Sequence, residues 1–155
     1  MIGDLGAADA TALAELVARG EVSPSELLDA ASRRFQMAVL IARLNYEDLI
    51  DEVLADAAFD GDATRSLARV SLANYFAAAL LMPYRPFLAA CESERYDIEL
   101  ISHRFGTSFE QTAHRMTTLQ RQEARGIPFF FVRVDRAGNV SKRFSAGRFP
   151  FSRFG

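Results

Sequence analysis

Few side chains in this chain are placed for catalysis. Two histidines, His103 and His114, flank the stretch RFGTSFEQ, and the single cysteine, Cys91, stands upstream of both. Zinc centres draw cysteines and histidines in closely spaced pairs. These three residues fit no such pattern, so no metal ligand and no cofactor is expected. Cys91 follows two alanines and has no histidine beside it, which suits a small buried residue better than a nucleophile. A second chemistry resides in DIELISHRFGTSFEQTAHRMTTL, residues 97–119. Ile98, Ile101 and Phe105 space out one helix, Gly106 makes a turn, and Ser108 caps a second helix that packs through Ala113 and Met116. A helix that reads DNA exposes polar groups to base edges. This one offers Glu110, Gln111, His114 and Arg115, whose charges nearly cancel, a thin footprint for DNA. A structural or dimer-forming helix pair is the first expectation, and a DNA-contacting helix-turn-helix module over 97–119 is the alternative.

These residues must be held by the elements around them. DATALAELVARG (9–20) reads as a short helix with Asp9 as N-cap and Gly20 as stop. SPSE (23–26) is a capping box with proline in the first turn, opening a helix that runs to about Arg43. Within that helix RRFQMAVLIARL (33–44) has no polar group at its centre, and Phe35, Met37, Val39, Leu40, Ile41 and Leu44 read as plain core. YEDLIDEVLADAAF (46–59) carries an apolar stripe of Leu49, Ile50, Val53, Leu54 and Ala57. DGD (60–62) interrupts it, and a long helix follows from about Ala63 to Met82, ended by Pro83. Short helices fill 84–119. From Ile127 the pattern changes: IPFFFVRV is β-prone, DRAGN (135–139) is turn chemistry, and VSKRFS (140–145) pairs back. The fold class is therefore α+β, predominantly α: helices over the N-terminal two thirds, then a small antiparallel hairpin or sheet.

Half of the 155 residues are apolar and 25% are charged, enough for a core and against wholesale disorder. The start, with Asp4 and no basic residue before an apolar run, does not resemble a signal peptide. The longest apolar block, YFAAALLM (75–82), is far short of the roughly 20 residues a membrane span needs. No membrane partner is expected, and a lone cysteine suits a reducing, cytoplasmic setting. The net charge of −2 is unevenly divided. Residues 1–62 carry 13 acids against 4 bases and residues 63–155 carry 7 acids against 14 bases. Such a split implies either an anionic partner for the second part or the packing of one part on the other.

Three stretches, LANYFAAALLMPY, RYDIELISHRFGTSFEQTAHRMTTLQR and FFFVRVDRAGNVSKRFSA, resemble the sensor region of short-chain fatty acyl transcriptional regulators, the ScfR type. The likeness covers 32–155 and implies two parts: a helical lead segment, 1–31, and a truncated acyl-CoA-responsive regulator domain, 32–155. Proteins of this type regulate bacterial propionate and acetate metabolism. In them a DNA-binding domain precedes a region related to IrrE-like zinc peptidases. The peptidase helix reads R-F-x-x-A-H-E-x-x-H, two histidines binding zinc and a glutamate activating water. Matching Arg34, Phe35 and Ala38 places Val39 and Arg43 at the histidines and Leu40 at the glutamate, while Leu72 falls at a third ligand. None of these can ligate zinc, so the resemblance implies the scaffold without the reaction, and the chain is read as no enzyme. Within the lead segment, residues 9–31 are similar to the opening of amidase-signature hydrolases, but the Gly/Ser-rich loop and Ser-Ser-Lys triad of those enzymes are missing.

The resemblance implies a short-chain acyl-CoA effector, DNA contact through a full-length regulator, and room for a homodimer. Acyl-CoA needs cations for its phosphates and an apolar slot for its acyl and pantetheine arms. The residues that suit this are Tyr75, Tyr84, Tyr96, His103, Arg104, Arg115, Arg133, Lys142 and Arg143. Lys142 and Arg143 are neighbours in one strand and point to opposite faces, so at most one of them meets a pocket.

Overall fold

The computed structural model describes Arg19 and residues 24–145. The expected helix over 9–20, the capping serine Ser23 and the tail beyond residue 145 lie outside the described residues. Among them are six helices and one two-stranded sheet, in the order α1 (Pro24–Asn45), α2 (Glu47–Val53), α3 (Asp62–Leu81), α4 (Tyr84–Ser93), α5 (Ile98–Phe105), α6 (Phe109–Thr117), β1 (Phe130–Val134) and β2 (Val140–Ser145). The class is α+β and mostly α.

Helices α1 and α3 pack along each other through small residues. Ala31, Ala38 and Ala42 are buried on α1, and Ala73, Ala77 and Ala78 on α3. Side chains this short let two helix axes approach closely. Ala42 and Ala73 join Ile50 and Leu54 in one apolar cluster, with Val39, Leu72 and Phe76 packed against it. The reading of 33–44 as plain core is corrected here. Alanines face inward, while Met37, Leu40, Ile41 and Leu44 are 65%, 54%, 40% and 72% exposed.

The helix expected over 46–59 ends at Val53. Leu54 is buried, and its amide donates to the carbonyls of Ile50 and Asp51, while the Ala55 amide donates to Glu52. The last turn thus tightens from i→i+4 to i→i+3 bonding and stops the helix. Of the expected stripe, Ile50 and Leu54 are buried, whereas Leu49 and Val53 face solvent. Arg69 of α3 clamps Asp51 of α2 with two donors, at 2.6 and 2.7 Å.

The second core joins Met82, Phe87, Cys91, Ile101, Met116 and Leu119. Asp97 caps α5 by accepting from the Leu100 amide, and Gly106 closes it in the left-handed region at φ 59°. Ser108 and Gln111 form the capping box of α6. Arg34 on α1 donates to the carbonyls of Phe105 and Gly106, fastening this turn to the first helix. In the hairpin, the Asp135 carboxylate accepts from the Ala137 and Asn139 amides, both at 2.8 Å, and Gly138 takes the left-handed position of the turn. Phe130 pairs with Ser145, and Arg133 with Lys142, before the register shifts.

Candidate functional site: a cleft beneath the hairpin

The hairpin register puts Arg133 and Lys142 directly opposite each other on one face. Like charges in that position repel and require an anion between or beneath them. Glu110, on the first turn of α6, supplies it. Its Oε2 accepts from Arg133 Nη1 at 3.1 Å, and its Oε1 accepts from Lys142 Nζ. The hydrogen bond from Lys142 and the positive charges around it hold the Glu110 carboxyl below its ordinary pKa. The hairpin is therefore fastened to the helical part by one carboxylate gripping two cations.

Under this clasp lies a cleft of about 420 Å³. Its polar lining is Arg133, Lys142, Glu110, His114, Asn74, Ser108 and Gln111, and its apolar lining is Phe35, Ala78 and Phe144. Strand alternation explains the choice: Lys142 and Phe144 share one face of β2, and Arg143 lies on the other. The His114 ring stands over Phe144, with centroids 3.9 Å apart. Burial, then the nearby Lys142 charge, lowers the His114 pKa, which keeps the ring neutral at pH 7. The cleft thus combines two cations, a neutral imidazole and hydrocarbon walls.

A family model described as the IrrE N-terminal-like domain matches residues 16–117. The chain belongs to the IrrE N-terminal-like domain family. A second model, the C-terminal part of the short-chain fatty acyl coenzyme A regulators, matches residues 118–155. The chain is 52% identical over 126 residues to the propionyl-CoA carboxylase regulator of Cereibacter sphaeroides, covering 81% of this chain and 27% of that protein. It is 52% identical over 123 residues to the HTH-type transcriptional regulator PrpR of Mycobacterium tuberculosis, covering 79% of this chain and 25% of that protein. A solved structure of a Mycobacterium tuberculosis transcriptional regulator superposes with a TM-score of 0.76 at 51% identity, covering 79% of this chain and 37% of that one. The chain spans about a quarter of the length of the curated relatives it matches.

In this IrrE-like domain the four positions matched to the peptidase's metal site lie along α1 and α3. Val39 and Leu72 pack against the same apolar cluster. Leu40 points outward. Arg43 lines a smaller cleft with Glu47, Ser66 and Arg69. Hydrocarbon and a permanent cation do not fit zinc, and no chemical step can be routed through it here.

The nine residues expected to hold a ligand do not converge. Arg133 and Lys142 meet at the cleft. Arg115 is 2% exposed, donates to the Met82 carbonyl at 3.0 Å and to Thr118 Oγ1, and sits 5.6 Å from the Tyr75 ring centroid. Tyr84 is buried, and its hydroxyl donates to the Ala124 carbonyl while accepting from the Arg121 amide. Tyr96 accepts from the Ile127 amide. Both tyrosines brace the segment between α6 and β1, away from the cleft. Arg104 faces Glu94 at 3.7 Å, and His103 is exposed on α5. Sequence reasoning missed Glu110, Phe35 and Phe144 as cleft residues. The first had a legible signal: a hairpin over DRAGN pairs two bases across its strands, and such a pair needs a carboxylate. The helix-turn-helix geometry over 97–119 is present, but Arg115 is buried and Glu110 is held by the hairpin. The hairpin packs on Glu110 and His114 of α6.

Proposed function

We propose that this chain is the non-catalytic, ligand-sensing part of a bacterial, cytoplasmic transcriptional regulator of short-chain fatty acid metabolism, and that short-chain acyl-CoA is its effector, seated in the cleft beneath the hairpin. The observation that carries the reading is the cross-strand pair Arg133 and Lys142 over an apolar-walled cleft. Phosphate oxygens satisfy such a pair as Glu110 does, and Phe35, Ala78 and Phe144 offer a surface to the acyl or pantetheine arm. The names of the relatives point the same way: one regulates a propionyl-CoA carboxylase, and the matched C-terminal model is that of acyl coenzyme A regulators. DNA contact belongs, in this reading, to the remainder of a longer regulator. A DNA-reading role for 97–119 has less support, because its second helix is spent on packing and on the hairpin clasp.

Thermal melting with propionyl-CoA, acetyl-CoA and free coenzyme A tests the reading. A ligand that binds the folded state alone adds about 2.7 kcal/mol at a hundredfold excess over Kd. That corresponds to a rise of roughly 5 °C or more for a domain of this size. Lys142→Ala should shrink the rise more than Arg143→Ala, since Lys142 lines the cleft and Arg143 does not. An unmoved melting curve at saturating acyl-CoA sinks the proposal. An equal shift with free coenzyme A shows that the acyl group is not what is read.

A further inference from the structure

Beyond its backbone, Glu110 is two methylenes and a carboxylate, the chemistry of a short-chain fatty acid carried on a tether. Its oxygens accept from Arg133 Nη1 at 3.1 Å and from Lys142 Nζ, in the cleft that all three residues line. Helix α6 is capped without it: Ser108 Oγ accepts from the Gln111 amide at 3.2 Å, and Gln111 Oε1 accepts from the Ser108 amide at 2.9 Å. The Glu110 carboxylate is thus left to the two cations. The side chains of Glu110, Arg133 and Lys142 are 36%, 54% and 46% exposed, so an anion reaches the cations directly from solvent.

The role we propose for Glu110 rests on the function proposed for this cleft: Glu110 is its specificity-determining residue, excluding free short-chain carboxylates and yielding only to ligands that bring phosphate. A free acid offers one charge and two oxygens, which Glu110 already presents. It also competes from solution with a group the chain holds in place, at an effective concentration of roughly millimolar or more. Phosphate groups bring more charge and more acceptor oxygens than one carboxylate, and their bonds to arginine and lysine are charge-assisted. Coenzyme A carries several of them, so its esters displace Glu110 where the free acid does not. The cleft thereby tells an activated acyl chain from its free acid, although both carry the same hydrocarbon.

NMR titration of the full chain with propionyl-CoA, inorganic pyrophosphate and sodium propionate tests this. Glu110→Gln keeps the side chain's shape and removes its charge. It should bind propionyl-CoA and pyrophosphate about tenfold more tightly than wild type, a gain that misfolding cannot imitate. Propionate should shift the β1 and β2 amides of this variant and leave those of the wild-type chain still. Glu110→Asp, shorter by one methylene, should fall between the two, and gives the same test should the amide loosen the hairpin. Glu99→Gln removes the same charge from an exposed position on α5 and should change nothing. If propionyl-CoA binds wild type and Glu110→Gln equally well, the role of Glu110 is overturned while the proposed function stands. An equal gain in Glu99→Gln overturns it too, since net charge alone would then be acting. So does propionate that binds wild type as tightly as the variant. Tighter pyrophosphate and propionate binding in Glu110→Gln, with no propionyl-CoA bound by either chain, upholds the role of Glu110 and sinks the acyl-CoA reading. If no probe binds any chain, both fail.

Discussion

Gly106 shows how tightly single positions are set in this molecule. It closes α5 at φ 59°, and a Cβ there would stand 2.1 Å from Arg34 Nη1. Two demands coincide: a left-handed backbone, and room for a guanidinium that donates to the carbonyls of Phe105 and Gly106. The turn at RFGTS was legible from Gly106 and Ser108. The role of Arg34 was not, because it lies some 70 residues away and reads in sequence as the basic start of an apolar helix. Gly106→Ala should cost about 1–2 kcal/mol for the left-handed residue alone. The loss should be larger with Arg34 in place, and smaller in an Arg34→Ala background where nothing is struck. A double-mutant cycle by urea unfolding measures that difference. Additive losses would show that Arg34 does not pack over the turn.

Among the elements, the hairpin depends most on a few polar contacts. Its strands are largely exposed, and it rests on α6 through the Glu110 clasp and the tilted ring contact of His114 with Phe144. The strands, the turn and the antiparallel pairing follow directly from IPFFFVRV, DRAGN and VSKRFS. Which helix they would dock on does not, since no local pattern encodes contacts across the chain. The same limit explains α1: periodicity showed that 33–44 was apolar, but not that alanines would take the inner face and larger side chains the outer one. A pH dependence follows from the docking. The folded His114 has a lowered pKa, so the unfolded chain binds more protons, and the stability it contributes is present above about pH 6.5 and declines below it. Lys142 and Arg115 oppose its protonation, and Glu110 partly favours it. Glu110 itself, with a depressed pKa, loses its contribution only at lower pH, below its ordinary value near 4.5. Between pH 7.5 and 5.5 the melting temperature should therefore fall, and His114→Gln should flatten that slope. An unchanged slope in the variant would place the titrating group elsewhere.

At the scale of the whole molecule, the two apolar clusters divide the labour. One, centred on Phe87, Ile101 and Met116, holds the α4–α6 turn structure that carries the cleft. The other seals α1 to α3 with Val39, Leu72 and Phe76, and two of these, Val39 and Leu72, stand at positions the resemblance matches to a peptidase's metal ligands. No helix among the described residues is long and apolar enough to cross a membrane. The seam predicts how the protein responds to metal. Elemental analysis should return well below one zinc per chain, and a chelator should leave the melting temperature unmoved. A bound ion would stabilise the folded state through linkage, so its removal would lower the transition. Leu72→Glu, which places one carboxylate at the matched third-ligand position, should destabilise by roughly 1–3 kcal/mol, because the charge replaces a partly buried side chain packed on an apolar cluster. Adding zinc should not recover the loss, as Val39 and Arg43 supply no further ligand. One zinc per chain together with a chelator-sensitive melt would mean that the chain holds a metal through residues other than these four.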